Sequence, residues 1–163
     1  MVEDAAHHDS KRASVCTGQL VQGDILVADR AYLDFSFLNG LASRDIFFVV
    51  RKKTNTQFKV VESLKPSRAP DPKKQSTQIL ADEKVQPAGS KTSTVYTASG
   101  GMLRMVKAFV KVRGEMREMV FLTNNFFWSG KTIAELYRTR WGIETFFKGD
   151  KADLSDTRFY RLQ

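Results

Sequence analysis

The residues with the most chemical potential in this sequence sit in one segment, Ser129 to Lys151, SGKTIAELYRTRWGIETFFKGDK. It has good helix formers, no proline and Ser129 placed to cap its start, so it reads as one helix. At roughly 100° per residue, Arg140, Glu144, Lys148 and Lys151 fall in a narrow arc around the Tyr137 direction. Leu136, Ile143 and Phe147 take the neighbouring face and are expected to enter a core. A carboxylate flanked by cations and a phenol suits phosphate handling. The acid can hold a divalent metal, while Arg and Lys can hold phosphate oxygens. A plainer reading fits the same residues. Arg140–Glu144 and Glu144–Lys148 are i,i+4 pairs of the kind that decorate solvated helices.

Such a helix needs a scaffold, and the composition provides for one. The chain has 163 residues, 42% of them hydrophobic and 27% charged, which is globular rather than disordered. A net charge of +8 favours a polyanionic partner, nucleic acid before an anionic membrane. No run is apolar and long enough to span a bilayer. The polar start MVEDAAHHDSKR does not read as a signal peptide. Cys16 is the single cysteine, so no intramolecular disulfide forms and a reducing cytoplasm fits. His7 and His8 beside Asp9 do not make a metal site, because adjacent side chains share no face in regular structure.

A second carboxylate is positioned by a different kind of element. Asp24 to Asp29, DILVAD, is a short apolar run that reads as a strand buried on both faces. Asp29 then stands at its carboxyl end, where open α/β sheets place their sites. Asp34 to Ser43 reads as a helix with Phe35, Leu38 and Leu41 inward, and Asp45 to Arg51 as a second buried strand. Strand, helix and strand form a crossover unit. The basic triplet Arg51-Lys52-Lys53 follows at once and could meet a DNA backbone.

The middle of the chain is β-rich. Strands are expected at Phe58 to Ser63, weakly at Thr77 to Val85, and at Thr94 to Thr97. Leu64 to Gln75, with three of the four prolines, reads as a surface loop. Leu103 to Val112 and Met116 to Thr123 form a hairpin around Arg113-Gly114-Glu115. Phe126, Phe127 and Trp128 precede the organising helix and are expected to pack it on the sheet rather than stack on a base. Trp141 adjoins Arg140 and is the better candidate for stacking.

The spacing Tyr137, two residues, Arg140, three residues, Glu144, six residues, Lys151 resembles the Y-R-E-K signature of bacterial insertion-sequence DDE transposases, the IS-four family. The wording YRTRWGIETFFK and the phrase ILVADRAYLDF, with Ala31 and Tyr32 after Asp29, are similar to that family's motifs. The resemblance implies an α/β, ribonuclease-H-like catalytic core. Residues 1–57 would belong to that core, 58–123 would be a β-rich insertion, and 124–163 would bring the helix with the catalytic Glu. It implies Asp29 and Glu144 as catalytic metal ligands for magnesium or manganese. It also implies Tyr137, Arg140, Trp141, Lys148 and Lys151 as DNA contacts at the transposon ends. The activity implied is DNA strand cleavage and strand transfer in the bacterial nucleoid, with a second transposase copy as a further partner.

The resemblance also implies a gap. The first aspartate and its strand would lie upstream of Met1, since Glu3, Asp4, Asp9 and Asp24 do not follow an apolar strand. A chain lacking one metal ligand is expected to be inactive alone, as an amino-terminally truncated enzyme or as a DNA-binding or inhibitory remnant. The strand ending at Asp29 is expected to have an open edge that favours aggregation.

Overall fold

The computed structural model describes residues 20–28, 34–52, 55–89, 95–147 and 157–160, and side chains within these except at 140–147 and 157–160. The carboxylate Asp29 and its neighbours Ala31 and Tyr32 lie outside the described residues. Seven described strands form one sheet: β1 (Ile25–Ala28), β2 (Phe47–Arg51), β3 (Phe58–Lys65), β4 (Gln78–Pro87), β5 (Leu103–Val112), β6 (Glu115–Thr123) and β7 (Thr157–Tyr160). Their spatial order is β3-β4-β5-β6-β2-β1-β7. Helices α1 (Phe35–Ser43) and α2 (Gly130–Phe147) cover the two faces. This mixed α/β layering accords with the expected class. The residues of 58–123 continue the same sheet as β1 and β2 rather than standing apart from it.

β1 and β2 pair in parallel, Ile25 with Phe47 through Ala28 with Val50. All four β1 residues are buried because the sheet is covered on both sides. Leu26, Ala28, Phe48 and Val50 face α1, whereas Ile25, Val27 and Val49 face α2. The alternation follows from the two-residue period of a strand.

α1 runs as the apolar spacing requires, with Phe35, Leu38 and Leu41 buried. Asp34 caps it by accepting the Ser36 amide at 2.8 Å. At its end Asp45 takes φ 55°, its amide reaches the Ala42 carbonyl, and the Ile46 amide reaches the Leu41 carbonyl. That paired arrangement is a Schellman stop, which turns the chain into β2.

β3 to β6 make an antiparallel meander that joins β2 through β6, with Val49 opposite Thr123. The β5–β6 connection has two residues, Arg113 at φ 52° and Gly114 at φ 82°, the paired positive φ of a type I′ hairpin. Asn124 extends β6 by side chain. Its Oδ1 accepts the Phe48 amide and its Nδ2 donates to the Ile46 carbonyl.

Three expectations need correction. Thr94 to Thr97 is not a strand in its described part. Tyr96 is buried against Phe48, and a 3-10 turn follows over Ala98–Gly101. The outer edge of β1 is not open, because β7 pairs with it antiparallel from Ile25–Tyr160 to Ala28–Thr157. On the organising helix, Tyr137 itself is buried against the sheet and Leu136, expected inward, is only partly buried.

Candidate metal and nucleic-acid site

The loop from Thr123 to Ser129 sets where α2 begins, and a buried ion pair sets the loop. Arg104 on β5 and Asp82 on β4 are 5% and 1% exposed. Arg104 donates through Nε to Asp82 Oδ1 at 2.8 Å and through Nη2 to Oδ2 at 2.6 Å. Its remaining nitrogen, Nη1, donates to the carbonyls of Asn125 and Trp128. The planar fork thus ties two strands to the loop before α2. A buried charge pair of this geometry is tolerated because each charge is satisfied.

Asn125 completes the loop from inside. Its Oδ1 accepts the amides of Phe127 and Trp128 at 2.9 Å, and its own amide donates to Thr123 Oγ1. Trp128 packs on Phe47 with ring centroids 6.2 Å apart. Packing therefore describes Trp128. Phe127 is 88% exposed, and Phe126 lies beneath the Lys84 ammonium.

Ser129 caps α2, with Oγ accepting the Thr132 amide at 3.1 Å. Gly130 sits close against the sheet, where a side chain would be crowded. A Cβ there would stand 3.2 Å from Asp82 Oδ2 and 3.4 Å from Ile79 and Val106. The helix begins in close contact with β4 and β5, and Gly130, Ile133, Ala134 and Tyr137 form its buried face. Leu136, expected inward, is only partly buried.

Tyr137 is 1% exposed and packs its ring on Phe121 of β6, centroids 4.9 Å apart. The path of α2 can be followed from these contacts. It starts above β4 and β5, crosses β6 at Tyr137, and also touches β2 and β1. The backbone continues helical through Arg140, Trp141 and Glu144 to Phe147. The side chains of Arg140, Trp141 and Glu144, and all of Lys148 and Lys151, lie outside the description.

Asp24 is the one candidate third acid within the described residues. It lies at the amino end of β1, with Oδ2 accepting the Val21 amide at 2.9 Å, so it serves a turn one strand length from Asp29. Among the described residues no group of three or more His, Cys, Asp or Glu side chains gathers to hold a metal. No described helix is long and apolar enough to cross a membrane.

Against known proteins, the chain matches the transposase DDE domain over residues 1–161. It belongs to this family. The DDE domain here is also 30% identical over 131 residues to the probable transposase of insertion sequence element IS5377 from Geobacillus stearothermophilus. That match covers 80% of this chain and 31% of the relative, so the chain spans about a third of the relative's length.

Asp82, Arg104 and Asn125, which seat the acid-bearing helix of this DDE domain, were not singled out by motif. Their signal is in the strand period. Arg104 falls in phase with Val106, Ala108, Val110 and Val112 on the face toward α2. A cation in a core-facing series requires a buried acceptor, and Asp82 supplies it.

Proposed function

We propose that this chain is part of the catalytic domain of an insertion-sequence transposase of the IS-four type, with a ribonuclease-H-like core. The whole protein would cleave and transfer DNA strands at transposon ends. The observation that carries this reading is the course of α2. The helix leaves β4 and β5 and heads toward β1, the strand that Asp29 follows. Gly130, Tyr137 and Glu144 are seven residues apart in the sequence, about two turns each of one continuous helix. A helix that carries one acid and reaches the strand that a second acid follows supports the pairing of Asp29 with Glu144.

Asp29 and Glu144 are the residues of this chain that would hold magnesium or manganese. When bound, such ions activate water or a 3′-hydroxyl and stabilise the leaving oxygen of a phosphodiester. Arg140, Lys148 and Lys151 would hold the phosphates of the transposon end, and Trp141 would stack on a base beside them. Tyr137 is buried whole with its ring on Phe121, so its part is to seat this face of α2 against the sheet. The partners are transposon-end DNA and a second transposase copy, in the bacterial nucleoid.

A second reading, DNA binding without catalysis, has its own support. Two acids do not make a two-metal cage, and Asp24 is committed to its turn. Binding of Mn2+ by the purified chain separates the two. On the catalytic reading, Asp29→Asn and Glu144→Gln each weaken Mn2+ binding. On the binding reading, Arg140→Ala and Lys148→Ala weaken DNA affinity and the acid variants change nothing. Mn2+ affinity unmoved by both acid variants would remove the metal-site reading.

A further inference from the structure

We infer that the β3–β4 loop, Pro66 to Thr77, is a second DNA contact, a preformed clamp on the phosphate backbone beside α2. The inference rests on the reading of DNA as partner but not on the acids or on Arg140.

The loop is built rather than merely polar. Gln78 at its end is 6% exposed. Its Oε1 accepts the Asp71 amide at 2.8 Å, and its Nε2 donates to the Asp71 carbonyl at 3.0 Å and to the Lys74 carbonyl at 3.5 Å. Asp71 to Lys74 is a turn closed by the Lys74 amide on the Asp71 carbonyl. Pro72 occupies its second position, where a fixed φ is already correct. The Lys73 amide donates to Asp71 Oδ1. On the other limb, Arg68 is tied by its amide to the Leu80 carbonyl and by Nε to the Ile79 carbonyl.

These bonds use up the loop's acid and leave its cations outward. Asp71 is the single carboxylate between Lys65 and Thr77, and it accepts a backbone amide. Lys73 and Lys74 are exposed, and neither joins a described ion pair. A rigid turn presenting adjacent ammonium groups loses little conformational entropy on meeting phosphates.

Its location gives the loop a purpose. Thr77 Oγ1 donates to the Glu135 carboxylate on α2, so the loop is docked on the helix. Lys131 and Arg138, both exposed, lie one helical turn to either side of Glu135; Arg138 pairs with the Glu135 carboxylate at 3.4 Å, and Lys131 joins no described ion pair. Lys73, Lys74 and Lys131 thus form a basic rim on the flank of the element that carries Glu144. Duplex DNA, with its regular phosphates, is the polyanion this rim fits.

The test is binding of a fluorescein-labelled duplex of arbitrary sequence to the whole chain, by anisotropy across a KCl series. Each phosphate contact adds about 0.9 to the slope of log K against log salt. Lys73→Ala with Lys74→Ala should lower that slope by about 1.8. Lys59→Ala, at the far end of β3, removes one charge from the same net total and should leave the slope nearly unchanged. Pro72→Gly keeps both lysines and should weaken binding with the slope preserved. An unchanged slope in the double lysine variant, or an equal drop per charge in Lys59→Ala, overturns the clamp. If Arg140→Ala lowers the slope while the loop variants do not, the clamp falls and the reading of α2 stands. If the loop variants lower it and Arg140→Ala does not, the clamp stands and the α2 contacts fall. A native chain that binds no duplex overturns both.

Discussion

Arg104 enters the α2 face of the sheet among apolar neighbours, and every nitrogen of its guanidinium is spent on Asp82, Asn125 or Trp128. Losing one partner leaves the other charge buried and alone. Arg104→Met should therefore cost about 3–5 kcal/mol, read as a fall in the urea midpoint. Replacing both, Arg104→Met with Asp82→Leu, removes the orphaned charge and should recover much of that loss. A double variant no better than the single would mean that the loop carbonyls, not the charge, dominate. Exposed pairs such as Lys107–Glu118 should cost little when broken. Tyr96 shows the opposite balance. Its ring fills the core beside Phe48, but its hydroxyl is buried with no hydrogen-bond partner among the described residues. Tyr96→Phe should raise stability by about 1 kcal/mol, seen as a higher thermal midpoint. Burial also pushes the Tyr96 phenol well above its ordinary range. Its folded-state pKa is thus raised above the unfolded one. The stability it contributes is full below pH ~10 and is lost as pH climbs toward the folded value, because the unfolded chain ionises first. Alkaline unfolding should start later in Tyr96→Phe than in the native chain.

At the scale of elements, α2 is the piece whose placement decides the site, and its start is specified three ways: the Ser129 cap, the missing side chain at Gly130 and the Arg104 fork. Ser129→Ala should cost about 1 kcal/mol and speed hydrogen exchange in the first turn of α2 more than in α1. Equal acceleration in both helices would show a global loss rather than a cap. The elements themselves were largely legible in the sequence. Period and capping marked α1 with Phe35, Leu38 and Leu41 inward, the apolar runs marked β1 and β2, and alternation marked the β5–β6 hairpin. β4 was only faintly marked, because Asp82, Glu83 and Lys84 interrupt its apolar positions and its stability comes from neighbours on both sides. Tyr96 was mistaken for strand since its aromatic, β-branched surroundings carry β propensity, whereas tertiary burial holds it in a loop. The site was half legible. Motif spacing is what proposes Asp29 and Glu144, but motif does not show that Tyr137 is turned inward. That depends on which stripe of α2 the sheet receives. Nor does motif show that Asp82 and Arg104 meet, since the strands that carry them come together only in the folded sheet.

At the scale of the whole molecule, β1 is the critical strand, short and buried on both faces, with Asp29 next in the chain. A strand of that composition with one unpaired edge is a template for another chain. Here β2 takes one edge and β7 the other, so the last described strand, more than a hundred residues away, closes the gap that the sequence left expected. Removing it should uncover that template. A chain ending at Asp156 should associate, and so should the full-length Phe159→Pro variant, which deletes the amide of a residue paired with Leu26. The +8 charge opposes association through repulsion, and salt screens it. The contrast should therefore be small in dilute buffer and large as salt rises, measured as the light-scattering mass of each chain over a salt series. Association of the native chain to the same extent would mean that β7 does not guard the edge. Monodisperse truncated protein at every salt would mean that β1 needs no guard. The expected result, association only where β7 is lost, ties the solubility of the chain to the strand beside Asp29.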